Sequence, residues 1–535
     1  MHPRPMMALL ATLMVAAAMD LVRPASASTV EASGMSSDPM PATTAEDPKR
    51  NEVATVPSGR ARSAADQPDW VEDVEAFYAA RAGTMLWHDE RGATERGRAL
   101  MRTLAAADDW GLDPAAYRVI PPVDLTGEQL IDADLRLTFA AISYAKHAQD
   151  GRVAPEQLSR WLEGSAKGFS AATVLAALYS ADETGKALES FHPVHAGFLR
   201  LKEAYVSLRD RPGKANKEMR DRIRANLERW RWLPTDLGRR HVWNNIPAFE
   251  TQLFEDGREI FRERLVVGGV KTQTPVFSDA IRFLVFHPDW GVPPSLKVRD
   301  LLPRLAAGDA SVLERRDMRI VGRSADSYDW NKIDIRRIPI VQNPGPSNPL
   351  GRVKFMFPNK HDVYMHDTPQ KHLFDQKNRA ASNGCIRVRD PLRFAEVLLG
   401  PDKGWTSRDI ARLTARGATE NNRVDLAEPV AVHNVYFTTV ADASRTLTVH
   451  SDVYGHDKRV IEALDGAPLD RIRARDPAVA HQREIERLME AKYVAPRRQP
   501  EPEWAPQEPR APSYSGSPYP PWARGIFGGF VFGYR

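Results

Sequence analysis

Cys385 is the only cysteine in the 535-residue chain, so no intramolecular disulfide can claim it, and its role is packing, intermolecular pairing or reaction. Taken alone, a free cysteine is most often a buried small hydrophobe. Its neighbours argue for reaction. Gly384 stands directly before it, Ser382 and Asn383 before that, and Arg379, Arg387 and Arg389 lie close by in sequence. Positive charge favours the nucleophilic thiolate, and a glycine lets the backbone approach a substrate carbonyl closely. His366, nineteen positions earlier, offers the base that such a thiol needs. It would take the thiol proton and return it to a leaving amine, the two-step logic of acyl transfer. The oxyanion formed on the way calls for donors, and the backbone N–H groups of Gly384 and Cys385, with Asn383 alongside, supply them if the loop folds back under the attacked carbonyl.

These residues need elements to hold them. In Asp362-Val363-Tyr364-Met365-His366 alternate side chains share a strand face, so Tyr364 and His366 point together, opposite Val363 and Met365. Tyr364 then becomes a candidate wall of the substrate site. Further short runs rich in β-branched or aromatic residues occur at His241–Ile246, Arg264–Gly268, Ile281–Phe286 and Val353–Phe357, separated by Gly, Pro and Asn. Residues 239–425 are therefore expected to form a mostly β catalytic domain, with 295–340, charged and helix-compatible, inserted as a lid. Residues 426–466 add strands and a short helix that complete the fold. Upstream, Met219, Ile223, Leu227 and Trp230 mark one face of a connecting helix within 219–238, and 68–218 reads as a helical scaffold domain. The fold class is α+β, multi-domain. His361, His366 and His372, spaced by five and six, share no helical face, so no metal site is expected. Arg379 and Arg387 are candidate partners for substrate carboxylates, which a guanidinium meets bidentately.

The two ends of the chain differ in composition from this middle. Met1–Ala27 has a basic start with Arg4, an apolar run from Met7 to Met19, and Ala25-Ser26-Ala27 before Ser28. That is the pattern of a cleavable secretory signal, and its apolar run is too short to span a bilayer comfortably. Residues 28–67 carry almost no large apolar side chains and read as a disordered linker. Residues 467–535 read as a low-complexity tail, charged and then Pro-rich from Pro496 to Pro521. The expected product is exported and does not span the membrane once the signal is removed. With 74 Lys plus Arg against 70 Asp plus Glu, and no basic stripe interleaved with aromatics, nucleic acid is not an expected partner.

His366-Asp367-Thr368-Pro369 followed by Ser382-Asn383-Gly384-Cys385-Ile386-Arg387-Val388 resembles the active-site signature of the L,D-transpeptidases of the YkuD fold. Glu228-Arg229-Trp230-Arg231-Trp232-Leu233-Pro234, Asn245-Ile246-Pro247-Ala248-Phe249, Gln273-Thr274-Pro275, Asn343-Pro344-Gly345-Pro346 through Leu350-Gly351, Leu86-Trp87 and Gly111-Leu112-Asp113-Pro114 resemble the large YcbB-like branch of Gram-negative envelopes. The likeness runs from about residue 68 to 466. It implies Cys385 as nucleophile, His366 as base, and the backbone carbonyl of Asp367 as the group that orients His366. Gly384 and Asn383 would supply oxyanion-hole N–H groups, and Tyr364, Arg379, Ser382 and Arg387 would line the substrate.

The implied reaction takes place in the periplasm, in contact with the cell wall. The thiol attacks a peptidoglycan tetrapeptide stem between its third and fourth residues, expels D-alanine, and passes the acyl group to a diaminopimelate amine to form a third-to-third crosslink. No cofactor is implied, and such enzymes are typically acylated by carbapenems. Two alternatives keep the thioester: water as acceptor makes an L,D-carboxypeptidase or endopeptidase, and an amine of an envelope protein makes a tethering enzyme. A non-catalytic wall-binding scaffold is the alternative from another class. The chain departs from the family pattern twice. Asn383 stands where many members have histidine, and Leu199–Lys217 runs almost directly into the connecting helix where large members often insert a peptidoglycan-binding domain.

Overall fold

The computed structural model describes residues 70–119 and 127–492, which fall into two compact units. The expected signal peptide 1–27, the linker 28–67 and the Pro-rich run lie outside the described residues. In the first unit, helices Val71–Ala79, Glu95–Ala105, Glu128–Asp150, Ala171–Ser180 and Thr184–Glu189 bury Val74, Tyr78, Leu100, Leu135, Phe139, Ile142, Leu175 and Leu188 in one core. Helix starts carry their caps: Thr94 accepts from the Gly97 N–H, and Ser170 from the Thr173 N–H. The Leu86-Trp87 segment is tied down by a buried carboxylate. Asp134 accepts from the backbone N–H groups of Leu86, Trp87 and His88 and from the Tyr78 hydroxyl. In Gly111-Leu112-Asp113-Pro114, Gly111 takes φ 72° to end one short helix, while Asp113 caps the next and Pro114 opens it.

The second unit is built on a nine-stranded sheet: β1 (Arg240–Asn245), β2 (Glu250–Glu255), β3 (Arg258–Gly268), β4 (Phe277–Phe286), β5 (Val353–Met356), β6 (Met365–His366), β7 (Ala380–Ser382), β8 (Ile386–Val388) and β9 (Asn422–Val435). Its order is β7-β3-β8-β6-β5-β4-β9-β1-β2, and β2 also pairs with β3, so the sheet closes on itself. Alternation along the strands fills the inside with Leu265, Val267, Leu284, Phe286, Val353, Phe355, Met365, Ile386 and Val388, all fully buried. Helix Pro391–Lys403 follows β8 almost at once. Asp390 caps it, Pro391 occupies its first turn, and it buries Phe394, Ala395, Leu398 and Leu399 in the same core, with the Phe394 ring 4.7 Å from that of Phe355. Helix Lys214–Trp230 carries the predicted apolar face, Ile223, Leu227 and Trp230 being buried and Met219 only partly so.

Several boundaries differ from the sequence reading, each for a packing reason. The expected scaffold 68–218 is divided: residues 149–167 and those from Pro193 onward cluster with the second unit. Val153, Leu158 and Leu162 belong to the core of the large sheet, and Leu162 bridges to Val276 in parallel. The boundary at 425 falls inside β9, which continues to Val435 against β1 and β4. The strand expected over Asp362–His366 shrinks to two residues, because Asp362 takes φ 53° in the turn that precedes it. Residues 295–340 have a core of their own, with Val298, Leu301, Leu305, Leu313, Trp330 and Ile335 under a three-stranded sheet of Trp290–Gly291, Met318–Ile320 and Ile340–Gln342.

The expected tail starts too early at 467. Ile472 is fully buried in the sheet core, and Asp476 is buried against Arg459, the Ser159 hydroxyl and the Gln273 amide. Ile472→Ala should therefore destabilise the second unit by roughly 2–5 kcal/mol, read as a lower urea midpoint for its transition. A midpoint equal to that of the unmodified protein would return residues 467–476 to the tail.

Candidate active site

Strands β6 and β8 run parallel, with Met365 opposite Ile386 and His366 opposite Arg387, and the Ile386 N–H donates to the Tyr364 carbonyl at 3.1 Å. Met365 and Ile386 turn into the core. Strand alternation then sends Tyr364 and His366 from one strand, and Cys385 and Arg387 from the other, out on the opposite face. The neighbouring β5 runs antiparallel to β6 and places Lys354 opposite His366, so a fifth side chain shares that face. Sequence reasoning passed over Lys354, although its place between buried Val353 and Phe355 carries the alternating signal of an outward residue.

His366 is buried, and its Nδ1 sits against the backbone carbonyl of Asp367. A carbonyl only accepts, so Nδ1 carries the proton and Nε2 is left with its lone pair. The Asp367 carboxylate holds that carbonyl in place: it accepts from the N–H groups of Arg352 (2.9 Å) and Thr368 (2.7 Å) and from Lys371 Nζ (2.6 Å). Its side chain lies so close to Gly351 that a Cβ there would collide with Oδ2, which accounts for the glycine. Burial, then the charge on Arg387, pushes the His366 pKa down to about 3, against an opposing pull from Asp367. The imidazole is thus neutral at ordinary pH.

Cys385 is half-buried, and burial raises its thiol above the ordinary value. The Tyr364 backbone and hydroxyl, then Arg387, pull it back by favouring the thiolate, while Asp362 opposes them. The same hydrogen bond to sulfur helps to hold the Tyr364 phenol well above its usual range, after burial. A neutral base on the same face as a protonated thiol is a starting state compatible with general-base chemistry.

The loop carrying Cys385 rests on a scaffold of hydroxyls. Thr272 Oγ1 donates to the Ser382 carbonyl (2.9 Å), Thr274 Oγ1 donates to the Gly384 carbonyl (2.7 Å), and Tyr454 donates to the Gly268 carbonyl (2.6 Å). Of the Gln273-Thr274-Pro275 motif, Thr274 supplies one of these bonds. Gly384 has φ 122°, a left-handed value that L side chains rarely adopt. Its N–H is already committed to Ser382 Oγ at 3.1 Å, which corrects its assignment as an oxyanion donor. Among the described residues no hydrogen bond engages the N–H groups of Asn383 and Cys385, which leaves these two available.

Two other expected substrate residues also prove structural. Ser382 is buried, donates to the Cys385 carbonyl at 2.6 Å and closes the turn. Arg379 gives its donors to the carbonyls of Leu265, Gln376 and Phe249, at 3.1 Å each, and lies over the Phe249 ring. Only the fold brings the carbonyls of these three separate segments to it, a placement invisible in sequence spacing. Arg387 does reach the site face. It donates to Gln370 Oε1 at 2.7 Å and keeps a buried Nε without a partner. His361 is held by Glu163 and lies beside the Trp161 ring, and among the described residues no cluster of His, Cys, Asp and Glu could hold a metal ion. No helix among them is long and apolar enough to cross a membrane.

Comparison with known proteins assigns the class. Residues 239–424 match the profile of the L,D-transpeptidase catalytic domain, YkuD, and residues 72–204 match that of the Scaffold domain. The chain therefore carries a YkuD L,D-transpeptidase catalytic domain joined to a Scaffold domain, an architecture consistent with the YcbB-like branch. It is similar to a Haemophilus influenzae protein named "Putative L,D-transpeptidase", at 27% identity over 394 residues, covering 72% of this chain and 78% of that one.

Two outcomes follow from the site. The His366 pKa lies below the unfolded value of about 6.5, so stability from its neutral burial is fully present above that pH and declines as pH falls toward about 3. Its ring-proton NMR shift should stay constant from about pH 8 to 5; a titration centred near the ordinary histidine value would contradict this. Arg379→Ala should lower the melting temperature and leave the KM for the acyl donor within about twofold, since its donors are spent on backbone; a selective rise in KM would restore it to the substrate site.

Proposed function

We propose that this protein is a periplasmic L,D-transpeptidase that forms third-to-third crosslinks in peptidoglycan through a thioester on Cys385. The supporting observation is the shared face of Tyr364, His366, Cys385 and Arg387, with His366 Nδ1 turned onto the Asp367 carbonyl so that Nε2 is the basic nitrogen.

In this reading, the carbonyl of the third residue of a tetrapeptide stem lies over Cys385. Nε2 of His366 takes the thiol proton as sulfur attacks, and the N–H groups of Cys385 and Asn383 receive the oxyanion. Collapse expels D-alanine, whose amine leaves with the proton from His366. The side-chain amine of a diaminopimelate on a second stem then attacks the thioester. It gives a proton to His366, which passes it to the departing sulfur. In this reading Arg387, on the same face, meets a stem carboxylate. The chemistry calls for no metal or cofactor, and the partners are peptidoglycan stem peptides.

Incubation with purified tetrapeptide muropeptides should yield crosslinked dimer and free D-alanine. Cys385→Ala should reduce both by roughly 10³-fold or more. Undiminished product from the variant would refute the reading, as would shortened monomer or stem-linked protein in place of dimer, which mark water or a protein amine as the acceptor.

A further inference from the structure

Lys354 has a position that neither its family likeness nor the proposed reaction assigns. Its neighbours in β5, Val353 and Phe355, are fully buried in the sheet core, so its side chain leaves on the other face. There it stands opposite His366, which itself stands opposite Arg387, and its Nζ lies 5.8 Å from the centroid of the Tyr364 ring. Of the other cations nearby, Lys371 and Arg352 pair with Asp367, and Arg387 donates to Gln370 Oε1 but has no acidic partner. Among the described residues Lys354 makes no ion pair or hydrogen bond. The charged and titratable groups facing it are Asp289, beyond β4, with Tyr364 and His366 on β6 and Cys385 and Arg387 at β8. β4 opposes it with uncharged Val285. Asp289 is engaged by Arg319 at 2.8 Å through Oδ2, while its buried Oδ1 has no hydrogen-bond partner.

We propose that Lys354 is a positioning cation for the thiol: its ammonium faces Cys385 and holds the sulfur charge as the proton leaves. A largely buried ammonium without a partner is costly, and this one gains its partner when the thiol ionises. Burial lowers the lysine pKa while Asp289 and then Cys385 raise it, in keeping with that coupling. Tyr364 and Lys354 then act on the same sulfur, one through a hydrogen bond and one through charge.

The inference rests on Cys385 being the nucleophile, and its test needs no peptidoglycan. Iodoacetamide reports the thiolate directly: the sulfur lone pair forms the S–C bond and iodide leaves, the thiol proton having gone to solvent. With one cysteine in the chain, intact mass reads modification at a single residue. Lys354→Met and Lys354→Gln should each be alkylated about tenfold more slowly than the unmodified protein at about pH 8, with the rate–pH curve displaced upward. Lys354→Arg, which keeps the charge, should stay within about threefold. Curves for both uncharged variants that superimpose on the unmodified protein would overturn the proposal. So would a slow Lys354→Arg with an unchanged urea midpoint, since shape and not charge would then be at work. No crosslinked dimer from the unmodified protein, with the alkylation shift intact, would refute the transpeptidase reading alone.

Discussion

Two opposed residue pairs, Met365 with Ile386 and His366 with Arg387, join β6 to β8 and determine everything that happens on the site face. A slip of one residue would turn His366 or Cys385 into the core and bring Met365 or Ile386 out. Burial of Met365 and Ile386 fixes that register, because both are fully enclosed with Phe355, Leu265 and Val388. The helix that buries Phe394 and Leu398 then closes the core from the side away from the chemistry. The geometry of this face is thus a consequence of apolar packing: its polar groups are held in place by apolar partners.

The electrostatics of the site point away from a resting ion pair. Burial keeps His366 neutral and Cys385 protonated. Tyr364, Arg387 and, in the account proposed above, Lys354 oppose the cost of charging sulfur at the moment of attack. A thiol kept neutral at rest is also less prone to oxidation, because the thiolate is the form that oxidises. The hydroxyls of Thr272, Thr274 and Ser382 hold the loop around Gly384, so Cys385 stands on a fixed base.

Much of this was legible in the sequence, for identifiable reasons. Strand alternation at 362–366 placed Tyr364 and His366 together, and the apolar stripe of 219–230 marked a helix that packs as read. Other features depend on contacts between distant segments. Arg379 looks like any arginine near a thiol until the carbonyls of Leu265 and Phe249 are brought to it. Gly384 supplies a positive φ that the sequence did not announce, and its N–H goes to a serine two residues away. Ile472 sits among charged residues and reads as tail, yet it fills a place in the sheet core. Lys354 was readable from parity alone and was missed because a lone lysine in a strand usually means a solvated face.

The central claim, that Cys385 carries the acyl group with His366 as its base, is tested most directly by intact-mass spectrometry during turnover. With a tetrapeptide muropeptide and no acceptor amine, the unmodified protein should gain the mass of the stem less D-alanine. Peptide mapping should place that mass on Cys385, and His366→Ala should accumulate it far more slowly. An unchanged protein mass while D-alanine is being released, or an adduct that persists in Cys385→Ala, would contradict the account.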